Sequence, residues 1–227
     1  MDTSGGSAAP PDGRRDGRDV ALELQVLLLG APGVEAFLVE VTRLAAGAVQ
    51  RAQSCGVTVQ RTSHSRMLAA TSDEFATRMD EVQYAVDDGP CLHCLREGET
   101  VLVDDIASDG RWPSFSRRGV AVGAGSSLSV LLLVEGAPVG ALNLYSRLAR
   151  GLDHADQARA RQFADQAAGA VALAARLAEQ ERREQHLETA LTSRSIIDQP
   201  SGWSWPGPGW QRTKPSRSCV GARSTPT

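Results

Sequence analysis

At 227 residues the chain is long enough for one domain of ordinary size with a tail or a second small module. A formal net charge of -3 sets up no global positive field toward nucleic acid or membrane, and no apolar run approaches the roughly 20 residues that a bilayer span needs. Four cysteines in no secreted framework, and a start (MDTSGGSAAPPDG) without a basic segment leading into an apolar core, point to a soluble cytoplasmic protein with reduced thiols.

Residues 1–19 are mostly Gly, Ser, Pro, Asp and Arg, with nothing to bury against the ~1 to 2 kcal/mol per residue that ordering costs, and are expected to be disordered. Val20 to Leu29 reads as a short helix. From Gly33 onward Val34, Phe37, Leu38, Val41, Leu44, Ala45, Ala48 and Val49 recur at three and four, which predicts a helix with one apolar face that must meet a sheet. Cys55 to Arg61 and Arg66 to Ala70 read as strands joined by the polar turn Thr62 to Ser65. Thr71 with Glu74 predicts a capping box opening a helix that runs to about Tyr84.

Gly89 then stands where a helix N-cap is wanted, Pro90 fills the first helical position, and Gly98 ends the helix. Thr100 to Val103 is a short β-branched strand, closed by the polar cluster Asp104, Asp105, Ser108, Asp109 and Gly110, and Trp112-Pro113 starts another helix. Ser127 to Val134 and Val139 to Ser146 are the strongest strands and form a hairpin across Glu135 to Pro138. Asp153, with Asp156 three residues on, caps a long closing helix. Its positions Phe163, Ala167, Ala170, Ala174 and Leu177 alternate at four and three, a spacing that suits either the domain's own sheet or a partner helix. Beyond Leu177 the charged run Glu179 to Glu188 favours a partner helix, most simply in a homodimer. The elements together predict an α+β domain with an antiparallel sheet flanked by helices, a long C-terminal helix and a disordered tail.

Three motifs stand close together: GPCL at Gly89 to Leu92, VLVDDIASDGRWPSF at Val101 to Phe115, and SSLSVLLLVEGAPVGALNLYS ending at Ser146. This combination resembles the GAF domains of bacterial two-part regulators that end in an ANTAR RNA-binding domain, over roughly Val34 to Gln199. The resemblance implies a central antiparallel sheet with the first and last helices on one face and short helices and loops walling a ligand pocket on the other. With the composition of the two ends, the division is 1–19 disordered, 20–178 sensor domain, 179–199 helical linker and start of the output module, and 200–227 a non-homologous, disordered tail. The implied function is a signal-responsive regulator of transcription antitermination, with an unidentified small-molecule ligand and RNA hairpins as partners. The signature Asn-Lys-x-Phe-x-Asp-Glu of cyclic-nucleotide GAF domains is missing, so cyclic GMP is disfavoured.

Cys91 and Cys94 form a Cys-x-x-Cys around His93. A helix N-terminus favours thiolate, so Cys91 is a redox candidate with Cys94 as its partner, but the same spacing places both thiols on the apolar face with Leu95, where buried structural cysteine is the blander reading. One such pair does not supply the four ligands of a zinc site. Asp104 and Asp105, being adjacent, point to opposite sides and are expected to satisfy loop donors. Asn143 and Tyr145 alternate with Leu142 and Leu144 and so share one sheet face. With Cys91, and with Trp112 and Phe115 that by resemblance border the pocket, they are the candidate ligand contacts. No nucleophile is composed with a base, and neither a P-loop nor a dinucleotide fingerprint is present. The chain is therefore read as a non-enzyme without cofactor or metal. The alternative is a thiol-dependent reductase of free methionine sulfoxide, a chemistry that some GAF domains perform.

Leu187 to Gln199 resembles the opening of an ANTAR domain, but the family's apolar helix does not follow. Pro200 to Thr227 instead holds Trp203, Trp205, Trp210, the chain's single lysine Lys214, Arg212, Arg217 and Arg223, amid Pro and Gly that forbid a helix. Because tryptophan has one codon, the alternative reading frame is partly fixed. It gives alanine across Trp205-Pro206 and across Trp210-Gln211, and Met, Val or Leu across Gly202-Trp203, Ser204-Trp205 and Gly209-Trp210. That string restores the family helix, so a frame change near Gln199 is expected, with hairpin binding weakened or lost. At face value, the tail's tryptophans and arginines would instead suit single-stranded RNA.

Overall fold

The computed structural model describes residues 17–49, 51–59 and 68–197, with side chains from 20 to 185. The expected disorder at the N-terminus, the turn Thr62 to Ser65 and the tail from Pro200 lie outside the described residues, except that the first helix already begins at Gly17. The chain divides at Arg183 into two units. The first holds the fold described below; in the second, residues 184–197 are helical.

The elements run α1 (Gly17–Gly30), α2 (Val34–Ala48), β1 (Ser54–Val59), β2 (Leu68–Thr71), α3 (Glu74–Val86), α4 (Pro90–Glu97), β3 (Val101–Val103), α5 (Pro113–Val122), β4 (Ser126–Val134), β5 (Ala137–Ser146) and α6 (His154–Ile197). The strands form one sheet in the order β2-β1-β5-β4-β3, antiparallel throughout. The expected α+β class is what the chain adopts. β1 lies between two neighbours and under helices on both faces, which is why all six of its residues are buried.

One face of the sheet carries Cys55, Val57, Leu128, Val130, Leu142 and Leu144, and against it pack Phe37, Leu38 and Val41 of α2, Leu24 of α1 and Phe163, Ala167 and Val171 of α6. The first turns of α6 thus cover the domain's own sheet, and of the predicted seam only Leu177 stands exposed. The opposite face is covered by α3, α4 and α5, with Phe75, Met79, Ile106, Phe115 and Leu131 in its apolar core. Gly119 brings α5 close to α3: a Cβ there would meet Met79 and Ile106 at 3.3 Å.

Local chemistry sets most boundaries. α3 is capped by Asp73, whose Oδ1 accepts from Ala76 N at 3.0 Å, not by the expected Thr71, whose hydroxyl lies 2.6 Å from Thr77 Oγ1. α4 starts on Pro90 and α5 on Pro113, and each ends on a glycine at positive φ, Gly98 at 76° and Gly123 at 93°. At the start of α6 Asp156 N donates to Asp153 Oδ1 (2.9 Å) and Asp153 N donates to Asp156 Oδ2 (3.1 Å), the reciprocal box read from the spacing. The hairpin turn is tighter than expected, with only Glu135 (φ 51°) and Gly136 (φ 79°) between the strands. Pro138 is tolerated because the register slips between Leu132 and Leu133, leaving Val139 without a direct partner on β4. Among the described residues no helix is long and apolar enough to cross a membrane.

Candidate functional site

Asn143 and Tyr145 project from β5 on the face covered by α3, α4 and α5, while Leu142 and Leu144 face the other layer, as their alternation predicts. Thr58 of β1 and Ser129 of β4 flank Asn143. Ser129 Oγ donates to Asn143 Oδ1 at 3.0 Å, and Asn143 Nδ2 reaches Thr58 Oγ1 at 3.4 Å and Asp80 Oδ1 at 3.3 Å. The Tyr145 hydroxyl donates to the same Asp80 oxygen at 2.5 Å and accepts from Gln83 Nε2 at 3.0 Å. Thr58 and Tyr84 share a hydroxyl hydrogen bond of 2.7 Å. A buried polar cluster therefore sits on the sheet, built from β1, β4, β5 and α3.

α4 is tied to this cluster through its N-terminus. Its N-cap, Gly89, has no side chain to offer, and Gln83 Oε1 accepts from Cys91 N at 2.7 Å in its stead. That arrangement requires glycine: at φ 138° a Cβ on Gly89 would lie 2.8 Å from Gln83 Oε1 and 2.9 Å from its Cγ. Gln83 thus caps α4 with one end of its amide and holds Tyr145 with the other. Cys91 Sγ points into the cluster, 3.5 Å from Thr58 Oγ1.

The electrostatics follow from burial. Asp80 is fully buried, and desolvation raises its carboxyl to about 7 against the hydrogen bonds from Tyr145 and Asn143 that favour the ionised form. Its Oδ2 has no hydrogen-bond partner among the described residues. Burial, with Asp80 nearby, pushes the Cys91 thiol up to about 12; burial, with Cys91 and Glu99 nearby, does the same for Cys94. Tyr84 and Tyr145 are also pushed upward, first by burial and then by Asp80. Burial and the neighbouring carboxyl act against the thiolate that a helix N-terminus would favour at Cys91. The blander reading of both thiols, buried and protonated, describes the geometry.

Of the sequence-predicted residues, Cys91, Asn143 and Tyr145 meet in one network. Trp112 and Phe115 are buried in the apolar part of the same layer. The Trp112 ring meets His93 edge to face at 5.4 Å and lies under the Arg111 guanidinium at 4.5 Å. Asp105 satisfies loop donors, accepting from Ala107 N (3.0 Å) and Ser108 Oγ (2.8 Å). Sequence reading missed Asp80, Gln83, Tyr84, Thr58 and Ser129. A signal for the first two was present: α3 buries Phe75, Ala76, Met79, Asp80 and Gln83, so an acid and an amide stand on the apolar stripe of an amphipathic helix.

Residues 33–172 match the family model for the GAF domain. Among solved structures the fold is similar to the free methionine-R-sulfoxide reductase of Neisseria meningitidis in complex with its substrate, with a TM-score of 0.50 at 19% identity, over 78% of this chain and 99% of that one. It is similar also to the N-acylhomoserine lactone dependent LuxR family transcription factor CepR2 of Burkholderia cenocepacia, with a TM-score of 0.51 at 17% identity, over 70% and 98%. A third is the GAF domain of a phosphoenolpyruvate-protein phosphotransferase of Coxiella burnetii, with a TM-score of 0.50 at 15% identity, over 72% and 96%. At these identities the likeness is one of fold. No curated protein sequence matches the chain.

Proposed function

Because the chain belongs to the GAF domain family, we propose that it is a small-molecule sensor that holds its ligand on the sheet face covered by α3, α4 and α5. The observation that carries the reading is Asp80: a fully buried carboxyl with one oxygen unpartnered, in a cluster that joins three strands and two helices. A core built only for stability gains nothing from such a group, since an unpaired buried acid costs free energy. The ligated state passes along α6, which pairs with its counterpart in a second copy through the stretch Asp153 to Arg194. The output is a remnant of an ANTAR-type RNA-binding module acting in transcription antitermination, and this product binds paired RNA hairpins weakly or not at all. A thermal-shift screen of the full chain against small metabolites tests the sensor: a saturable stabilisation supports it, and a silent screen removes it. A gel shift tests the output, where tight hairpin-specific binding by this chain contradicts the remnant reading.

The alternative, a thiol-dependent reductase of free methionine sulfoxide, places Cys91 as nucleophile and Cys94 as resolving thiol. Both thiols are buried and held protonated, which withdraws the nucleophile that this chemistry needs. Cys91→Ser separates the readings, since the reductase loses all turnover and the sensor keeps its fold with at most a changed ligand response.

A further inference from the structure

Three buried side-chain polar atoms among the described residues have no hydrogen-bond partner: Asp80 Oδ2, Ser127 Oγ and Arg159 Nε. Two of them flank one residue of the site. Ser127 on β4 stands directly opposite Tyr145 in the ladder, and the hydroxyl of Tyr145 donates to the other oxygen of Asp80. Native cores leave few such atoms, and two orphans around one tyrosine mark a place where a partner from outside the chain belongs.

Charge says which partner. An ionised carboxyl accepts and never donates, so Oδ2 asks for an N–H or O–H. The titratable groups facing Asp80 are Tyr145 of β5, Tyr84 of α3 and Cys91 of α4, with Cys55 of β1 behind it on the other face of the sheet, all pushed upward in pKa and therefore neutral. No Arg, Lys or His among the described residues makes a hydrogen bond or ion pair with Asp80. The negative charge that this site acquires on ionisation is balanced by no cation among the described residues. In a medium of low dielectric a cation gains far more there than a neutral donor, and an anion is repelled.

Resting on the sensor reading above, we infer that the ligand is a small organic cation, an ammonium, amidinium or guanidinium, whose N–H bonds Asp80 Oδ2 while a second polar group of the ligand meets Ser127 Oγ. Its carbon body would pack among the buried apolar side chains of the same layer, which include Phe75, Met79, Ile106 and Phe115. Entry requires the layer of short helices α3, α4 and α5 to part. The cation takes the place of a proton. With the free carboxyl titrating at about 7, its ionised fraction, and with it the affinity for a cation, rises about tenfold between pH 6 and pH 8.

The test uses the full chain and four probes, agmatine, putrescine, methylguanidine and tyramine, beside acetate, glutarate and N-methylacetamide. At least one cation is expected to raise the melting temperature saturably at pH 8. By calorimetry its affinity should be about tenfold weaker at pH 6, with protons released on binding. Asp80→Asn, which keeps the acceptor for Tyr145, should lose at least tenfold in affinity, and Ser127→Ala a smaller factor. The pH dependence is read on the unaltered chain, so the inference stays exposed even if the Asn variant does not fold. It is overturned if none of the four cations binds, if binding is as strong at pH 6, or if a cation's affinity survives in Asp80→Asn. If a neutral or anionic metabolite binds instead, indifferent to Asp80, the cation inference falls and the sensor stands. If nothing in the metabolite screen binds, both fall.

Discussion

A Cβ built on Gly56 would lie 2.4 Å from Asp80 Oδ2, closer than any real Cβ comes to an oxygen. The central strand therefore leaves out a side chain where the α3 carboxyl comes down upon it, and β1 and α3 are fitted to each other through that absence. Gly56→Ala should destabilise the domain by about 1 to 3 kcal/mol, the usual cost of overpacking a filled core. Much of that loss should return in Gly56→Ala with Asp80→Ala, because the clash and the carboxyl are one interaction. Urea unfolding of the four proteins of that cycle measures it, and simple additivity of the two changes would contradict the contact.

Asp80 should also leave a mark on the pH dependence of folding. In the unfolded chain its carboxyl ionises near 4, whereas in the fold burial holds it at about 7. Between those values the folded state keeps a proton that the unfolded state has lost, so stability is fully present below about pH 4 and falls as pH rises toward 7. The slope is about 1.4 kcal/mol per pH unit and the total on the order of 4 kcal/mol. Asp80→Asn removes the titration, so relative to the unaltered chain it should gain steadily from pH 4.5 to pH 7.5. Equal stability differences at both ends of that range would mean that the carboxyl titrates as an ordinary acid.

How much of this was open to sequence reading depends on whether a residue's neighbours are set by local periodicity. The alternation Leu142, Asn143, Leu144, Tyr145 can only put the two polar residues on one face, and the spacing of Asp153 and Asp156 can only make a capping box, so both were legible. The stripe of α3 marks Asp80 and Gln83 as buried polar residues, but their roles lie in contacts 62 to 65 residues away with Tyr145 and Asn143, which no local pattern encodes. Cys91 is a different case: the sequence places it near a helix N-terminus and on an apolar face at once, and what decides between the two pulls on its thiol is burial and Asp80, both tertiary facts.

Gln83 should behave as a remote cap for α4. Gln83→Ala leaves Cys91 N without its acceptor and the Tyr145 hydroxyl without its donor, and creates a void where a fully buried side chain stood. A loss of about 2 to 4 kcal/mol is expected from the two hydrogen bonds and the cavity together. Hydrogen exchange should locate the damage, with amides of α4 losing protection more than those of α2 on the opposite face. Uniform loss across both layers would argue against the capping role.

Thiol chemistry gives a direct reading of the cysteine geometry. Cys55, Cys91 and Cys94 are all buried, and all three thiols are pushed up in pKa. In a Cys219→Ser variant, a disulfide reagent at pH 7.5 should find no rapidly reacting thiol in the native protein and three after denaturation in urea. One fast thiol in the native state, assigned to Cys91 by mass spectrometry, would restore the redox reading of this pair.

The dimer proposal concentrates on two positions. Phe163, Ala167, Val171 and Ala174 of α6 are spent on the domain's own core, while Leu173 and Leu177, one turn apart, stay 48% and 47% exposed. If α6 pairs with its counterpart in a second copy, these two leucines from each chain enter the contact. Each is already half buried, so at about half of the ~1.5 to 3 kcal/mol for burying a whole side chain their loss weakens the dimer by about 3 to 6 kcal/mol, which is a factor of roughly a hundred or more in the dissociation constant. Leu173→Glu with Leu177→Glu should therefore shift sedimentation from dimer to monomer. The melting temperature extrapolated to low concentration should barely move, since neither residue supports the monomer's core. A chain that is monomeric at high micromolar concentration before any substitution would remove the partner helix from the proposal and leave signal transfer to a single copy.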